Sequence, residues 1–288
     1  MSHSCLRTAN FTLYTLKVRL MKMVEERKWG ETRSFGPRQW LRHKLLVDQL
    51  QKHLSQGIVL DAGCGEGKMA EMIAEKGFQV FAFDESRDSL KEASALGVDT
   101  RGADTLVCPA KKVVHWLGKL DQIPFPNNSF DAIIAGDVLE HIENDQKAVQ
   151  EFFQVLKPGG LAIISVPADP KKWSIDDDWS GHKRRYRKAD VLSLFQAAGF
   201  KLDTCYFWGW PITWLYYRLF YIPMLKKRFK ERKVQAGLAH ASAQTGLAGL
   251  KDSKLLEIVF WLAFLPDQLF LGTKWGIGLI GVFRKSTT

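Results

Sequence analysis

The sequence lacks any arrangement of cysteines that would hold a metal ion or build a disulfide framework. The four cysteines, Cys5, Cys64, Cys108 and Cys205, are far apart in a chain of 288 residues, and none has a partner at the spacing of a metal site. We therefore predict no bound metal, and we expect a reducing, cytoplasmic compartment. The chain also lacks an apolar run of the ~20 residues needed to cross a bilayer, and its first residues do not resemble a signal peptide.

Acidic residues are too few to balance the basic ones, since 41 lysines and arginines stand against 31 aspartates and glutamates, for a net charge of +10. Much of this excess lies in residues 226–233, which carry six basic residues and the single acid Glu231. Local positive charge favours an anionic partner, such as a membrane surface, a phosphorylated substrate or a nucleic acid. The hydrophobic content of 46% predicts a folded globular protein.

From Gly57 onward, short apolar runs alternate with patterns of helical period. The predicted strands are 58–60, 80–83, 113–117, 130–135 and 161–166. The predicted helices are 37–54, 69–76, 86–96 and 149–156. Apolar strands that alternate with helices are typical of a doubly wound, mostly parallel sheet covered on both faces, so we expect an α/β fold. Residues 98–112 are expected to form an inserted loop, and residues 277–283 a final strand.

A glycine-rich turn follows the first predicted strand, where residues 61–67 read D-A-G-C-G-E-G. Glycine is needed where the backbone wraps closely around a ligand, and such a turn lies at the carboxyl edge of the sheet. A P-loop is disfavoured because Met69 follows Gly67-Lys68 in place of Ser or Thr. A dinucleotide-binding turn is disfavoured because Lys68 occupies the position of its third glycine. A tight turn without a ligand is the remaining alternative.

Further segments accompany this turn in a fixed order along the chain. They are Asp84 at the end of the second strand, I-P-F-P-N-N-S-F-D at 123–131, G-D-V-L-E-H-I at 136–142 and L-K-P-G-G at 156–160. Together with the turn, they resemble the motifs of class I S-adenosylmethionine (SAM)-dependent methyltransferases, in particular the type 11-like small-molecule and lipid methyltransferases. The resemblance is clear over residues 58–166 and extends more loosely through Gly199-Phe200.

The resemblance implies a Rossmann-like fold, SAM as the cofactor and a set of residues that bind it. Asp61, Gly63 and Gly65 would contact the amino-acid part of SAM. Asp84 would accept hydrogen bonds from the ribose hydroxyls. Gly136 would line the cofactor near its methionine end.

The adenine contact departs from the family pattern. Lys119 stands where many relatives carry an aspartate that faces the adenine amino group, and lysine has no acceptor atom. Asp121 is the candidate replacement, and a backbone group near Leu120 or the side chain of Asp104 is an alternative.

Two histidines are candidates for the chemistry. His141 follows the fourth strand, and His182 lies in residues 179–186, W-S-G-H-K-R-R-Y, which resemble the segment before the last helix of related methyltransferases. Methyl transfer is an in-line displacement, so a base is needed only where the nucleophile must lose a proton. His182 is the candidate base; alternatively, its loop is only pinned to the sheet and His141 is an ordinary helix-start residue. The acidic run 176–178 is expected to form a solvated loop.

The C-terminal part of the chain differs in texture from the rest. Nine of the sixteen residues in 206–221 are aromatic, and the basic run follows them. Tryptophan and tyrosine favour the headgroup region of a bilayer, which predicts contact with an anionic membrane surface without crossing it. Aromatics that pack on the sheet or line an apolar pocket are the alternative. We therefore divide the chain into an N-terminal segment with a lid helix (1–54), a SAM-binding core (55–204) and an appendage with a final core strand (205–288).

The sequence thus predicts a SAM-dependent O-methyltransferase that acts on a small molecule, a lipid or a lipid-linked glycan. Methylation of RNA or protein is an alternative, but no nucleic-acid partner is expected because the Asn/Asp-Pro-Pro-Tyr/Phe motif is lacking. A catalytically silent, SAM-binding partner subunit is another alternative. We expect the protein in the cytoplasm or peripherally on the inner face of the membrane.

Overall fold

The computed structural model describes residues 37–86, 90, 105–108, 113–227 and 262–287. The predictions for residues 1–36, for most of helix 86–96, for Asp104 and for the basic residues after Lys227 lie outside these ranges. The strands are β1 (Ile58–Ala62), β2 (Gln79–Asp84), β3 (Thr105–Cys108), β4 (Val113–Leu117), β5 (Phe130–Gly136), β6 (Leu156–Pro167), β7 (Phe200–Trp208) and β8 (Gly278–Lys285).

The helices of the described residues are mostly short and connect these strands. They are α1 (Pro37–His53), α2 (Lys68–Glu75), α3 (Asp145–Val155), α4 (Ile175–Ser180), α5 (Lys188–Ala197), α6 (Ile212–Tyr216) and α7 (Leu265–Leu269). Helix α6 continues through a π-helical turn, Tyr217–Tyr221, into helical residues 222–227, and we call the whole of 212–227 the C-terminal helix. None of the described helices is both long and apolar enough to cross a membrane.

The strands form one eight-stranded sheet in the order β3-β4-β2-β1-β5-β6-β8-β7. The five central strands from β4 to β6 are parallel, and antiparallel pairs lie only at the two ends. This arrangement confirms the predicted mostly parallel sheet. It also corrects two predictions, because the expected loop 98–112 contains the edge strand β3, and residues 200–208 form the unpredicted strand β7.

Two hydrophobic cores cover the two faces of the sheet, because successive side chains of a strand point to opposite faces. Val59 and Ile163 pack in the core beneath α1 and α2. Their neighbours Leu60 and Ile164 pack in the other core, beneath α3 and α5. All four side chains are fully buried. The apolar runs in the sequence therefore reflect strands that are buried on both faces.

The helix predicted at 37–54 is confirmed as α1, and it forms part of the hydrophobic core. Leu41, Leu46 and Leu50 recur at intervals of four or five residues and are buried against the sheet. The opposite side of the helix carries Lys44 and Asp48, which form an exposed ion pair. The described part of the N-terminal lid is thus a layer of the fold that reaches the carboxyl edge of the sheet. Its role as a lid remains a prediction.

Two boundaries differ from those expected. Strand β6 begins at Leu156, because Leu156 pairs with Phe130 before a bulge, so the L-K-P-G-G segment opens a strand instead of ending a helix. The expected division between residues 204 and 205 falls inside β7, so residues 205–208 belong to the sheet.

Candidate active site

The glycine turn lies at the carboxyl end of β1, and its backbone shape requires glycine. Gly63 has a φ of 76°, and a Cβ atom there would lie 2.5 Å from Cγ2 of Val138. The Gly63 N–H donates to the Phe83 carbonyl at 2.7 Å, which ties the turn to β2. Gly65 has a φ of 52°, and a Cβ atom at this position would meet nothing within 4 Å. The turn therefore leaves open space beside Gly65, where a ligand can approach the backbone.

Two aspartates flank this turn at the ends of β1 and β2. Asp61 is fully buried, and neither carboxylate oxygen has a hydrogen-bond donor in ordinary geometry. Burial, together with the negative charge of Asp84, raises the pKa of Asp61 to about 7, and the Ala70 N–H opposes this only in part. An ionised carboxyl buried without a partner is costly, so Asp61 suits a cationic ligand. The ammonium group of SAM is such a ligand.

Asp84 braces the glycine turn through its two oxygens. Oδ2 accepts a hydrogen bond from the Gly65 N–H at 2.9 Å, and Oδ1 accepts one from the Ser86 N–H at 2.8 Å. Burial raises the pKa of Asp84, although these backbone hydrogen bonds favour its charged form. A carboxylate offers about four lone pairs, so at least one remains for a further hydrogen bond. The predicted contact with ribose is therefore compatible with the bracing role and stays a prediction.

Gly136 and Asp121 occupy the same edge of the sheet. A Cβ atom at Gly136 would lie 2.9 Å from Cε of Met69 and 3.2 Å from Cδ1 of Leu46, so glycine lets α1 and α2 close over the end of β5. Asp121 lies in the half-exposed turn after β4, which is tied to β2 where the Gly118 N–H donates to the Asp84 carbonyl at 3.0 Å. The position of Asp121 suits the predicted adenine contact, which stays a prediction.

A partly buried ion pair continues the site beyond Gly136. Asp137, with a φ of 55°, pairs with Arg42 of α1. It also accepts a hydrogen bond from the Ser165 hydroxyl at 2.7 Å, while its own N–H donates to the Ser165 carbonyl at 3.0 Å. Burial opposes ionisation, but the Arg42 charge and the Ser165 hydrogen bond outweigh it and hold the pKa of Asp137 below its ordinary value. The end of β5 is thus joined to α1 by an ion pair and to β6 by hydrogen bonds.

His182 is oriented by a carboxylate that the sequence does not single out. Its Nδ1 lies 2.9 Å from Oδ1 of Asp177. Arg185 donates to both Asp177 oxygens, from Nε at 2.6 Å and from a terminal nitrogen at 2.8 Å. Hydrogen bonds from His182 and Arg185 lower the pKa of Asp177 far below its ordinary range, although burial alone would raise it. Ionised Asp177 favours the His182 tautomer that carries its proton on Nδ1, and in this tautomer Nε2 is the nitrogen that can accept a proton.

The position of Asp177 corrects the expectation of a solvated acidic loop at 176–178. Asp176 and Asp177 are buried in α4. Arg38 of α1 pairs with Asp176 at 2.9 Å, and Arg185 pairs with Asp177 at 2.6 Å. Buried carboxylates require such partners, which come from distant parts of the chain and cannot be read from a run of three acids.

His182 forms a cluster of three titratable side chains with Glu140 and His141. The rings of His141 and His182 are in edge contact, with centroids 4.8 Å apart. Oε1 of Glu140 lies 3.9 Å from Nε2 of His182. Glu140 is fully buried with neither oxygen hydrogen-bonded. Burial, with a smaller contribution from Asp137, raises the pKa of Glu140 well above its ordinary value.

The same three side chains are close enough together to bind a metal ion. Burial and the neighbouring His182 lower the pKa of His141 to about 4, so its ring is neutral at neutral pH. Among the described residues, Glu140, His141 and His182 each offer one ligand atom, and these atoms all lie within 4.8 Å of one another. A metal ion could use this arrangement. The sequence predicts no metal, and it does not anticipate this grouping. A buried acid directly before a histidine in an otherwise apolar segment is the one signal that could have revealed it.

Comparison with known proteins assigns this arrangement to a family. The sequence model of the family described as "Methyltransferase domain" matches residues 33–204, which is more than half of the chain. The chain belongs to this methyltransferase family. The matched region includes α1, the glycine turn, both candidate histidines and the first residues of β7.

Individual relatives agree with this assignment. A protein of Mycolicibacterium smegmatis named "Probable S-adenosylmethionine-dependent methyltransferase" is 30% identical over 166 residues, which cover 56% of this chain and 59% of the relative. A ubiquinone biosynthesis O-methyltransferase of Rickettsia canadensis is 27% identical over 150 residues, which cover 50% of this chain and 59% of the relative. The chain thus spans about three fifths of the length of these relatives.

A solved structure shares the fold of this chain. A solved SAM-dependent methyltransferase of Mesorhizobium loti superposes with a TM-score of 0.51 over 83% of this chain and 96% of the other, at 17% identity. The sheet is the Rossmann-like sheet of class I SAM-dependent methyltransferases, and SAM is the cofactor of the family. The buried carboxylate of Asp61 and the open space beside Gly65 fit this cofactor. The predicted family, fold and cofactor are therefore confirmed.

Proposed function

We propose that the protein methylates an oxygen of a small-molecule, lipid or lipid-linked glycan acceptor. The observation that carries the proposal is the pairing of His182 with the ionised Asp177, which provides a base beside the cofactor-binding edge of the sheet. An oxygen nucleophile needs such a base because a hydroxyl group must lose its proton as it reacts. The similarity to a ubiquinone biosynthesis O-methyltransferase supports the same choice.

The cofactor end of the site serves to bind and orient SAM. When bound, SAM supplies a methyl group on a positively charged sulfur. Asp61 would hold the ammonium group, the backbone at Gly63 and Gly65 would approach the amino-acid part, and Asp84 would meet the ribose. Buried and braced groups of this kind keep the cofactor in one position and exclude water from it.

The acceptor end would move one proton. Nε2 of His182 takes the proton of the acceptor hydroxyl, and Asp177 stabilises the resulting imidazolium through Nδ1. His141 lies against the His182 ring, and its pKa of about 4 keeps it uncharged, so it shapes this wall of the site without repelling the imidazolium. Burial raises the pKa of Glu140, which favours its neutral form and so avoids a second negative charge there.

Incubation of the purified protein with methyl-labelled SAM and fractionated cell extract tests the proposal. We expect label in the lipid or small-molecule fraction, with none when His182→Ala replaces the wild type. Label in RNA or protein would favour the corresponding alternative activity. Absence of label from every fraction, with S-adenosylhomocysteine still bound, would favour a catalytically silent partner subunit.

A further inference from the structure

The C-terminal part of the fold presents a group of large apolar side chains to solvent. We call this group the apolar surface; it comprises Leu215, Leu219, Phe220, Met224, Leu269, Phe270, Leu271 and Trp275. Phe220 is 65% exposed and Leu269 is 84% exposed. Single exposed apolar residues are ordinary, but a set of this size on neighbouring segments marks an interaction site.

The two segments that carry the apolar surface are fixed to each other. The carboxylate of Asp267 accepts hydrogen bonds from the backbone N–H groups of Ile212 at 2.6 Å and Thr213 at 2.9 Å. Trp210 packs against both Trp214 and Trp275, with ring centroids 5.0 and 5.7 Å away. The start of the C-terminal helix and the segment around α7 therefore form one body.

The other side of the C-terminal helix is anchored beside the candidate active site. The Tyr217 hydroxyl lies 2.7 Å from the Ser174 hydroxyl, and the Tyr221 hydroxyl donates to Asp176 at 3.1 Å. The guanidinium of Arg38 lies over both rings, 5.1 and 4.8 Å from their centroids. These contacts hold the helix on the domain without any help from the apolar surface. The apolar surface is therefore exposed to solvent although the helix that carries much of it is held in place.

The charge of the C-terminal helix and of the sequence that follows it favours an anionic partner for the apolar surface. Residues 212–227 contain Arg218, Lys226 and Lys227 and no acidic residue, and 228–233 add four basic residues against Glu231. Tryptophan and tyrosine rings accompany the aliphatic side chains, as is usual at the boundary between headgroups and hydrocarbon. Apolar, aromatic and basic side chains in one region complement an anionic lipid surface.

We propose that the apolar surface docks the protein on an anionic lipid bilayer. The apolar side chains enter the headgroup boundary, and the lysines of the C-terminal helix face the lipid phosphates. The helix lies along the surface instead of crossing it, because Arg218 interrupts its apolar sequence. The anchored face with Tyr217 and Tyr221 then places the acceptor end of the site close to the membrane. The docking does not depend on which acceptor is methylated.

Flotation with vesicles of phosphatidylglycerol and phosphatidylcholine tests the proposal on the full chain. Wild type should float at low salt, less at high salt, and little with phosphatidylcholine alone. The double variant Leu219→Asp/Phe220→Asp should lower the bound fraction by about tenfold, because two exposed apolar contacts are lost. Lys226→Gln/Lys227→Gln should weaken flotation mainly at low salt.

Leu202→Asp is the matched control, because Leu202 is 40% exposed on β7, away from the C-terminal helix. This variant should float like the wild type, and calorimetric binding of S-adenosylhomocysteine should be unchanged in every variant. The proposal is overturned if wild type stays soluble with anionic vesicles at low salt, or if the Leu219/Phe220 variant floats equally well. It is also overturned if the wild type does not float but forms a dimer that this variant breaks.

Discussion

The imidazole of His182 is held by Asp177, with 2.9 Å between Nδ1 and Oδ1. The orienting carboxylate is itself fixed by Arg185 and by the Ser174 N–H, which donates to its Oδ2 at 2.7 Å. A base whose partner is fixed in this way keeps one tautomer and one direction. His182 is thereby prepared to accept a proton at Nε2, whereas an isolated surface histidine is not.

Replacement of His182 should separate turnover from cofactor binding. We expect His182→Ala to lower kcat by about 10²–10⁴, the usual contribution of a general base, and to leave the Kd for SAM nearly unchanged. Steady-state kinetics and calorimetry measure the two quantities, with the exposed Lys44→Ala as the control. Equal losses in both would point to a structural role, and an unchanged rate would remove His182 from the mechanism.

Asp177 should make the protein sensitive to acid. Its pKa is lower in the folded than in the unfolded chain, so its stabilising contribution is present above its ordinary pKa of about 4 and is lost as the pH falls below it. Asp177→Asn should cost roughly 3–5 kcal/mol at pH 7, because it leaves Arg185 buried without its counter-charge. Denaturant unfolding at several pH values should show that the free energy of unfolding of the variant falls less at acid pH than that of the wild type. An equal fall in both proteins would show that Asp177 does not cause the acid sensitivity.

The buried carboxyl of Glu140 must be neutralised by either a proton or a cation. We expect a proton, because burial alone raises its pKa well above the ordinary value. Methyl transfer should therefore survive treatment with EDTA, and Glu140→Gln should keep most of the activity. Loss of activity on chelation and its return with Mn²⁺ would instead place a cation among Glu140, His141 and His182.

Asp61 should destabilise the cofactor-free protein at neutral pH. Its pKa is raised to about 7 in the fold, so the folded chain binds more protons than the unfolded one between pH ~4 and ~7, and stability falls as the pH rises through that range. Asp61→Asn lacks this effect. Relative to wild type, the variant should gain roughly 1–4 kcal/mol between pH 5 and pH 8 in unfolding experiments. If the free energies of unfolding of the two proteins change equally with pH, the pKa of Asp61 is not raised in the folded chain.

The parts of the site that can be predicted from the sequence are formed by residues that lie close together in the chain. The turn at 61–67 depends on glycines that are close in sequence, and the order of strands follows from apolar runs. Arg42 and Asp137 meet across 95 residues of sequence, so no local pattern could pair them. Strand β7 is not predicted because its residues F-K-L-D-T-C-Y-F-W follow no single pattern: a short alternation changes to an apolar run after the irregularity between Leu202 and Thr204. Its place is set by pairing with β8.

Calorimetric titration of the purified chain with S-adenosylhomocysteine and, separately, with NADH tests whether the turn at residues 61–67 binds SAM. We predict that wild type binds S-adenosylhomocysteine and not NADH. We also predict that Asp61→Ala weakens this binding at least about tenfold, because a buried charge-assisted contact is removed. Binding of NADH without binding of S-adenosylhomocysteine would contradict the assignment of the turn at residues 61–67 to SAM.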